Sequence, residues 1–256
     1  MITVLRCRGI GEPMGDGNML ANVTKSLDTQ RFRVVELPWS AQYGPVPAPL
    51  GSSFDNSLTS GRTMLLDYIR RDPNPVVLTG YSGGGALAGN VAAEIARGEH
   101  SELDVRGVGL ISDPLRPADP WGSEEPWGIA GSRPIARVWF PVWHCADPAD
   151  VITCCPPDSP LRTIADQSSA FALGDLRSWG WDLVNRLRTG RWQATIRDWR
   201  NGPAVWNAYS QAIVGARGYL TGDHTSYNLR CYPGCYPGST RTYTEWLADR
   251  INEIEA

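Results

Sequence analysis

The sequence predicts an α/β fold: a doubly wound, mainly parallel sheet with helices on both faces. Three observations point there. Short β-branched runs alternate with stretches of helical periodicity. Several of those runs are nearly continuous in apolar residues, as strands covered on both faces are. One of them leads straight into a glycine-rich turn and a helix of small residues, in "VVLTGYSGGGALAGNVAAEIA" from Val76 to Ala96.

Strands are expected at Ile2 to Cys7, Phe32 to Leu37, Pro75 to Gly80, Val105 to Ser112 and Ala136 to Trp143. Helical patterns lie between them, at Gly17 to Leu27, at Asn56 to Arg70 with Leu58, Leu65, Leu66 and Ile69 on one stripe, and at Gly84 to Arg97. From Thr240 the chain is helical again, through Trp246, Leu247, Ile251 and Ile254. At 256 residues, 42% hydrophobic, the chain can bury a full core, so residues 1–256 are read as a single domain.

Composition narrows the function. A net charge of −3 offers no general basic field, which disfavours a nucleic-acid partner. No window approaches the roughly 18 apolar residues of a membrane span. The opening "ITVLRCRG" is too short and polar for a signal-peptide core, so synthesis in a cytosol is expected. The cysteines, Cys7, Cys145, Cys154, Cys155, Cys231 and Cys235, form no CxxC pair and have no spaced histidines, so no metal and no other cofactor is expected. Composition leaves disulfides and reduced thiols equally open.

In open α/β sheets ligands sit beyond the carboxyl ends of the strands. Ser82 lies at such an end, and Gly80, Tyr81, Ser82, Gly83 and Gly84 match the GxSxG nucleophile elbow between a predicted strand and a predicted helix. The plain alternative is a glycine-rich structural turn. A serine hydroxyl needs a base, and only three histidines are available. His100 sits in the polar stretch "RGEHSEL" after the nucleophile helix, and His144 ends a strand. His224, in the polar loop "TGDHTSYN" before the last helix, is the preferred base, against the plainer reading of a loop histidine bonded to its neighbours.

The acid is expected after the second strand beyond the nucleophile helix, where "HCADPADVITCC" offers Asp147 and Asp150. Asp150, followed by Val151 and Ile152, is preferred; Asp147 precedes Pro148 and reads as a turn former. Asp113 comes one strand too early and reads as a turn or cap residue. The oxyanion requires two donors. The N–H of Gly83 is one, and the loop "CRGIGEP" supplies the second from Ile10, with Gly11 as the alternative.

These residues carry a resemblance. Arg8 and Gly9 with Glu12, "GYSGGG" at Gly80 to Gly85, "SDP" at Ser112 to Pro114, "ADPADVI" at Ala146 to Ile152 and "DHTSY" at Asp223 to Tyr227 together resemble the cutinase-like α/β hydrolases, and within them the lysin B proteins of mycobacteriophages. The resemblance covers nearly the whole chain. It implies a serine esterase that cleaves the ester between mycolic acids and arabinogalactan during phage-induced host lysis. Such an enzyme is made in the host cytoplasm and acts at the cell envelope, in contact with the outer lipid layer. It implies the same residues: Ser82, Asp150 and His224, with Ile10 and Gly83 at the oxyanion. Gly83 departs from the glutamine that cutinases commonly carry after the nucleophile, and six cysteines exceed the lysin B pattern. Cutinases hold the acid in a short disulfide loop, which Cys145 with Cys154 or Cys155 would reproduce around Asp150.

The stretch 151–223 is longer than a compact cutinase needs between acid and base. On the family reading, about 157–220 is a helical insertion beside the active site, with Trp179, Trp181, Trp192, Trp199 and Trp206 placed to receive a lipid chain or its polysaccharide. The plain reading is that these tryptophans pack the insertion onto the core. Two other functions use parts of the same sequence: a cutinase or lipase acting on free lipid esters, and a non-catalytic module binding wall or lipid.

Overall fold

The computed structural model describes residues 1–44, 46–47, 50–118, 125–136, 138–168, 200–233 and 240–255. Five strands, β1 (Ile2–Cys7), β2 (Phe32–Glu36), β3 (Val76–Tyr81), β4 (Val105–Ile111) and β5 (Val142–Cys145), form one sheet in the order β2-β1-β3-β4-β5. Every pairing is parallel. The order reverses direction beside β1, so the carboxyl ends of β1 and β3 flank the crevice in which such folds place their ligands.

Alternation along the strands divides the core into two layers. On one face Leu5, Cys7, Val76, Leu78, Val108 and Leu110 meet α2 (Phe54–Arg71) and α3 (Gly83–Ala96). On the other, Ile2, Val4, Val77, Tyr81 and Ile111 meet α1 (Met19–Thr24) and the C-terminal helix α6 (Tyr243–Asn252). Strands β1 and β3 are buried at every position, which is why they read as nearly continuous apolar runs. Between β5 and α6 lie α4 (Leu161–Ser168), α5 (Gly202–Thr221) and a single 3-10 turn, Asp223–Thr225. The two helices lie in the stretch expected to be a helical insertion, whose residues 169–199 are outside the described ones, and the 3-10 turn follows it.

Capping chemistry places the helix ends. The Asn18 side chain accepts the Ala21 N–H, so α1 starts two residues later than its apolar pattern. A reciprocal capping box between Thr242 and Glu245 starts α6. The fifth strand departs from expectation. Predicted at Ala136 to Trp143, it pairs only from Val142, because Pro141 has no N–H for the ladder. Phe140 is nonetheless buried in the core, so apolar character extends beyond the pairing.

The turn after β3 is shaped by what cannot fit. A Cβ on Gly80 would collide with the Gly84 carbonyl, and one on Gly84 with the carbonyl oxygens of Cys7 and Arg8. Backbone at the centre of a sheet cannot give way cheaply. Gly84→Ala is therefore expected to cost at least about 3 kcal/mol of folding stability. Urea unfolding measures it, and a loss below about 1 kcal/mol would contradict this packing.

Candidate active site

Ser82 follows β3 with φ 54° and ψ −121°, a backbone state that costs energy for any residue carrying a Cβ. Its own N–H is tied to the Ile111 carbonyl at 2.9 Å, which fixes the turn against the end of β4. The hydroxyl stands at the head of α3, half-buried. His224 reaches it from the opposite direction. Helix α5 ends at Gly222, whose φ of 106° suits glycine, and the chain tightens into the 3-10 turn that carries the imidazole.

The distances link three groups in series. His224 Nε2 lies 2.9 Å from Ser82 Oγ. His224 Nδ1 lies 3.0 Å from Asp150 Oδ2. Imidazole and carboxylate are both buried, with Asp150 wholly enclosed. The His224 ring stacks on Tyr81 at 5.2 Å between centroids, and Tyr81 donates its hydroxyl to the His224 carbonyl at 2.8 Å. Tyr219, from the end of α5, lies 5.1 Å from the same ring.

Burial alone would push the Asp150 carboxyl upward. The hydrogen bond and charge of His224, with the hydroxyls of Ser112 and Tyr227, outweigh that and hold it below the usual aspartate range. Its second oxygen accepts the Ile152 N–H at 3.0 Å. Arg230 ties this loop to the histidine loop, bonding Asp147 at 2.8 Å and pairing also with Asp223.

The remaining candidates lie elsewhere. Asp147 Oδ1 accepts the Ala149 N–H in a local turn, and Asp113 Oδ1 accepts that of Leu115 while its other oxygen pairs with Arg133. His100 is held by Glu94 and Arg70 beyond the end of α3. His144 Nδ1 stands 3.8 Å from Asp113 and has no hydrogen-bond partner. Glu94, Glu99 and His100 could converge on a cation, their donor atoms lying within 4.8 Å of one another. Arg62 and Arg97 already pair with those carboxylates, which opposes a further positive charge.

In the loop after β1, Gly11 donates its N–H to the Ala41 carbonyl at 3.1 Å, which removes it as an oxyanion donor. The Glu12 carboxylate braces the loop by accepting the N–H groups of Gly9 at 2.7 Å and Met19 at 2.8 Å. Ile10 packs directly on Gly83, where a Cβ would fall 2.7 Å from Ile10 Cγ1. The two residues expected to serve the oxyanion are thus neighbours.

Cys145, Cys154 and Cys155 are free thiols, so the expected disulfide loop around Asp150 is not formed. The Cys145 sulfur faces the Tyr243 carbonyl at 3.7 Å, whereas Cys154 accepts from Arg116 at 3.4 Å. The acid loop is closed by Arg230 and by hydrogen bonds instead. Trp206 is 76% exposed on α5. Trp179, Trp181, Trp192, Trp199 and Cys235 lie outside the described residues.

Motif reading did not single out Ser112, Tyr227, Tyr81, Tyr219 or Glu12 as site residues. Ser112 and Tyr227 stood only within stretches quoted for the resemblance. Their contacts join positions 38 and 77 residues apart, which no local spacing encodes.

No family model and no curated protein matches the chain. Among solved structures, lysin B from Mycobacteriophage D29 matches with a TM-score of 0.50 at 14% identity, covering 98% of this chain and 97% of that one. The chain shares the α/β-hydrolase fold of lysin B. A cutinase-like protein from Cryptococcus sp. is also similar, with a TM-score of 0.44 at 18% identity over 73% of this chain and 95% of that one. Trichoderma reesei cutinase gives 0.37 at 20% identity, over 57% and 61%. The α/β class expected from the sequence, with its doubly wound parallel sheet, is the one found. Among the described residues no helix is long and apolar enough to cross a membrane.

Burial pushes the His144 imidazole down to about 4, the nearby Asp113 only partly opposing it. The unfolded chain takes up that proton from about pH 6.5 downward, so stability should fall as pH drops from about 6.5 through 4, by about 3 kcal/mol. Denaturant unfolding across that window should show this slope reduced in His144→Gln. An unchanged slope would mean that His144 titrates as it does in the unfolded chain.

Proposed function

We propose that the protein is a serine carboxylic-ester hydrolase in which Ser82 is the nucleophile, His224 the general base and Asp150 the acid that orients it. The observation that carries this reading is the unbroken series Ser82–His224–Asp150, at 2.9 and 3.0 Å, at the carboxyl ends of the strands. With Nδ1–H directed at a carboxylate, Nε2 presents its lone pair to the serine hydroxyl.

As Ser82 Oγ attacks the ester carbonyl, its proton passes to His224 Nε2 and the carbonyl electron pair moves onto oxygen. The N–H groups of Gly83 and Ile10 receive that oxyanion. In support, Gly83 opens α3, where N–H groups have no partner within the helix, and Ile10 N–H makes no hydrogen bond among the described residues. Collapse of the intermediate breaks the bond to the alcohol, which leaves with the His224 proton. Water, deprotonated by the same imidazole, then frees the acid and restores Ser82.

The ester we assign is that of a long acyl chain. Helix α5 has one charged residue, Arg217, in its 20, and exposes Trp206, Ile213, Val214 and Leu220. The same helix brings Tyr219 to within 5.1 Å of the His224 ring, between centroids. The motif resemblance extends the proposal to the ester linking mycolic acids to arabinogalactan, cleaved at the host envelope during phage lysis. A lipase acting on free lipid esters is the second reading, since the same apolar helix would serve it.

Ser82→Ala and His224→Ala should each lower the kcat for a nitrophenyl ester by roughly a thousandfold or more. Near-UV circular dichroism should stay unchanged. Turnover within tenfold of the wild type in either variant would remove the assignment. Incubation with purified mycobacterial wall core should release free mycolic acids. Hydrolysis of soluble esters without that release would favour the lipase.

A further inference from the structure

A buried carboxylate that is also asked to steer an imidazole must be held at a fixed angle, and Asp150 is held by more than its proposed partner. Its Oδ2 receives the Ser112 hydroxyl at 2.5 Å and the Tyr227 hydroxyl at 2.8 Å, beside His224 Nδ1 at 3.0 Å. Both hydroxyl residues are fully buried. They come from unrelated parts of the fold: Ser112 directly follows β4, and Tyr227 follows the 3-10 turn of His224.

The direction of each proton follows from the other partners. Tyr227 Oη accepts the Asp147 N–H at 3.2 Å, so its single proton points to Asp150. An ionised carboxylate can only accept, so the Ser112 proton also goes to Asp150. That leaves a lone pair on Ser112 Oγ, which stands 3.0 Å from His224 Nδ1. The Nδ1–H therefore faces two acceptors at the same distance, an arrangement that selects this tautomer and leaves Nε2 bare toward Ser82. Ser112 meets the requirement at a cost: its φ is 50°, in the left-handed region that few residues other than glycine adopt, while its N–H is pinned to the Cys145 carbonyl at 3.0 Å.

We infer that Ser112 and Tyr227 are positioning residues for the proposed hydrolysis, two hydroxyls that hold the Asp150 carboxylate ionised and aimed at His224 Nδ1. Neither touches the substrate; Tyr227 acts through Asp150, and Ser112 acts both through Asp150 and directly on His224 Nδ1. The inference rests on the esterase reading above and adds residues to that site.

The test is a double-mutant cycle. Tyr227→Phe and Ser112→Ala should each lower kcat about tenfold, with KM within twofold of the wild type, because the ground-state substrate contacts are untouched. In an Asp150→Ala background Tyr227→Phe should not lower the residual kcat further, because the group through which it acts is gone, whereas Ser112→Ala should still lower it, because the Ser112 oxygen is then the acceptor left to His224 Nδ1–H. A purely structural role would instead show as reduced thermal stability, with Tyr227→Phe giving the same fractional loss in both backgrounds. That multiplicative result overturns the inference, as does kcat within twofold of wild type in both single variants. If the wild type turns over nitrophenyl esters and Ser82→Ala does not, these outcomes bear on Ser112 and Tyr227 alone. A wild type without turnover overturns the esterase reading and this inference together.

Discussion

An ionised carboxylate with no exposed surface persists only where donors replace the water it has lost, and the architecture around Asp150 is organised by that demand. Its donors come from the end of β4, from the turn carrying His224, from Tyr227 just beyond it, and from the backbone at Ile152. Satisfying all of them requires the β4 terminus, the loop after β5 and the segment after α5 to converge on one point. Each of these segments is irregular backbone, which a sheet can hold in place only from its end.

The nucleophile side depends on a different constraint, close approach. Gly80 and Gly84 let β3, the turn and α3 pass within contact of the β1 terminus, and Gly83 lets Ile10 settle against the helix start. The loop that would serve the oxyanion is braced by Glu12, itself partly buried and raised above the usual glutamate range chiefly by that burial. Directional donors on one side and absent side chains on the other thus bring Ser82 and His224 within bonding reach.

Much of this was legible in the chain itself. Strands buried along most of both faces leave nearly continuous apolar runs, so β1, β3 and β4 could be read directly, and the elbow carries its sterics in its glycines. Asp150 and His224 were picked out by their order along the chain and by elimination, and the structure places His224 against Ser82 and Asp150 against His224. The start of β5 was misread because Phe140 is as buried as a strand residue without being in the ladder. Ser112 and Tyr227 escaped because a hydroxyl in sequence carries no sign of its partner. The thiols misled in the opposite sense: a family pattern suggested a covalent staple where Arg230 and hydrogen bonds close the loop.

The Arg230 guanidinium spans the acid loop and the base loop, gripping Asp147 on one and Asp223 on the other. Gly218 lets α5 seat directly against that same Asp223. One guanidinium thus fastens together the end of α5, the turn that carries the imidazole and the loop that carries the carboxylate, so loss of that single side chain would untie the base from the acid loop at both ends.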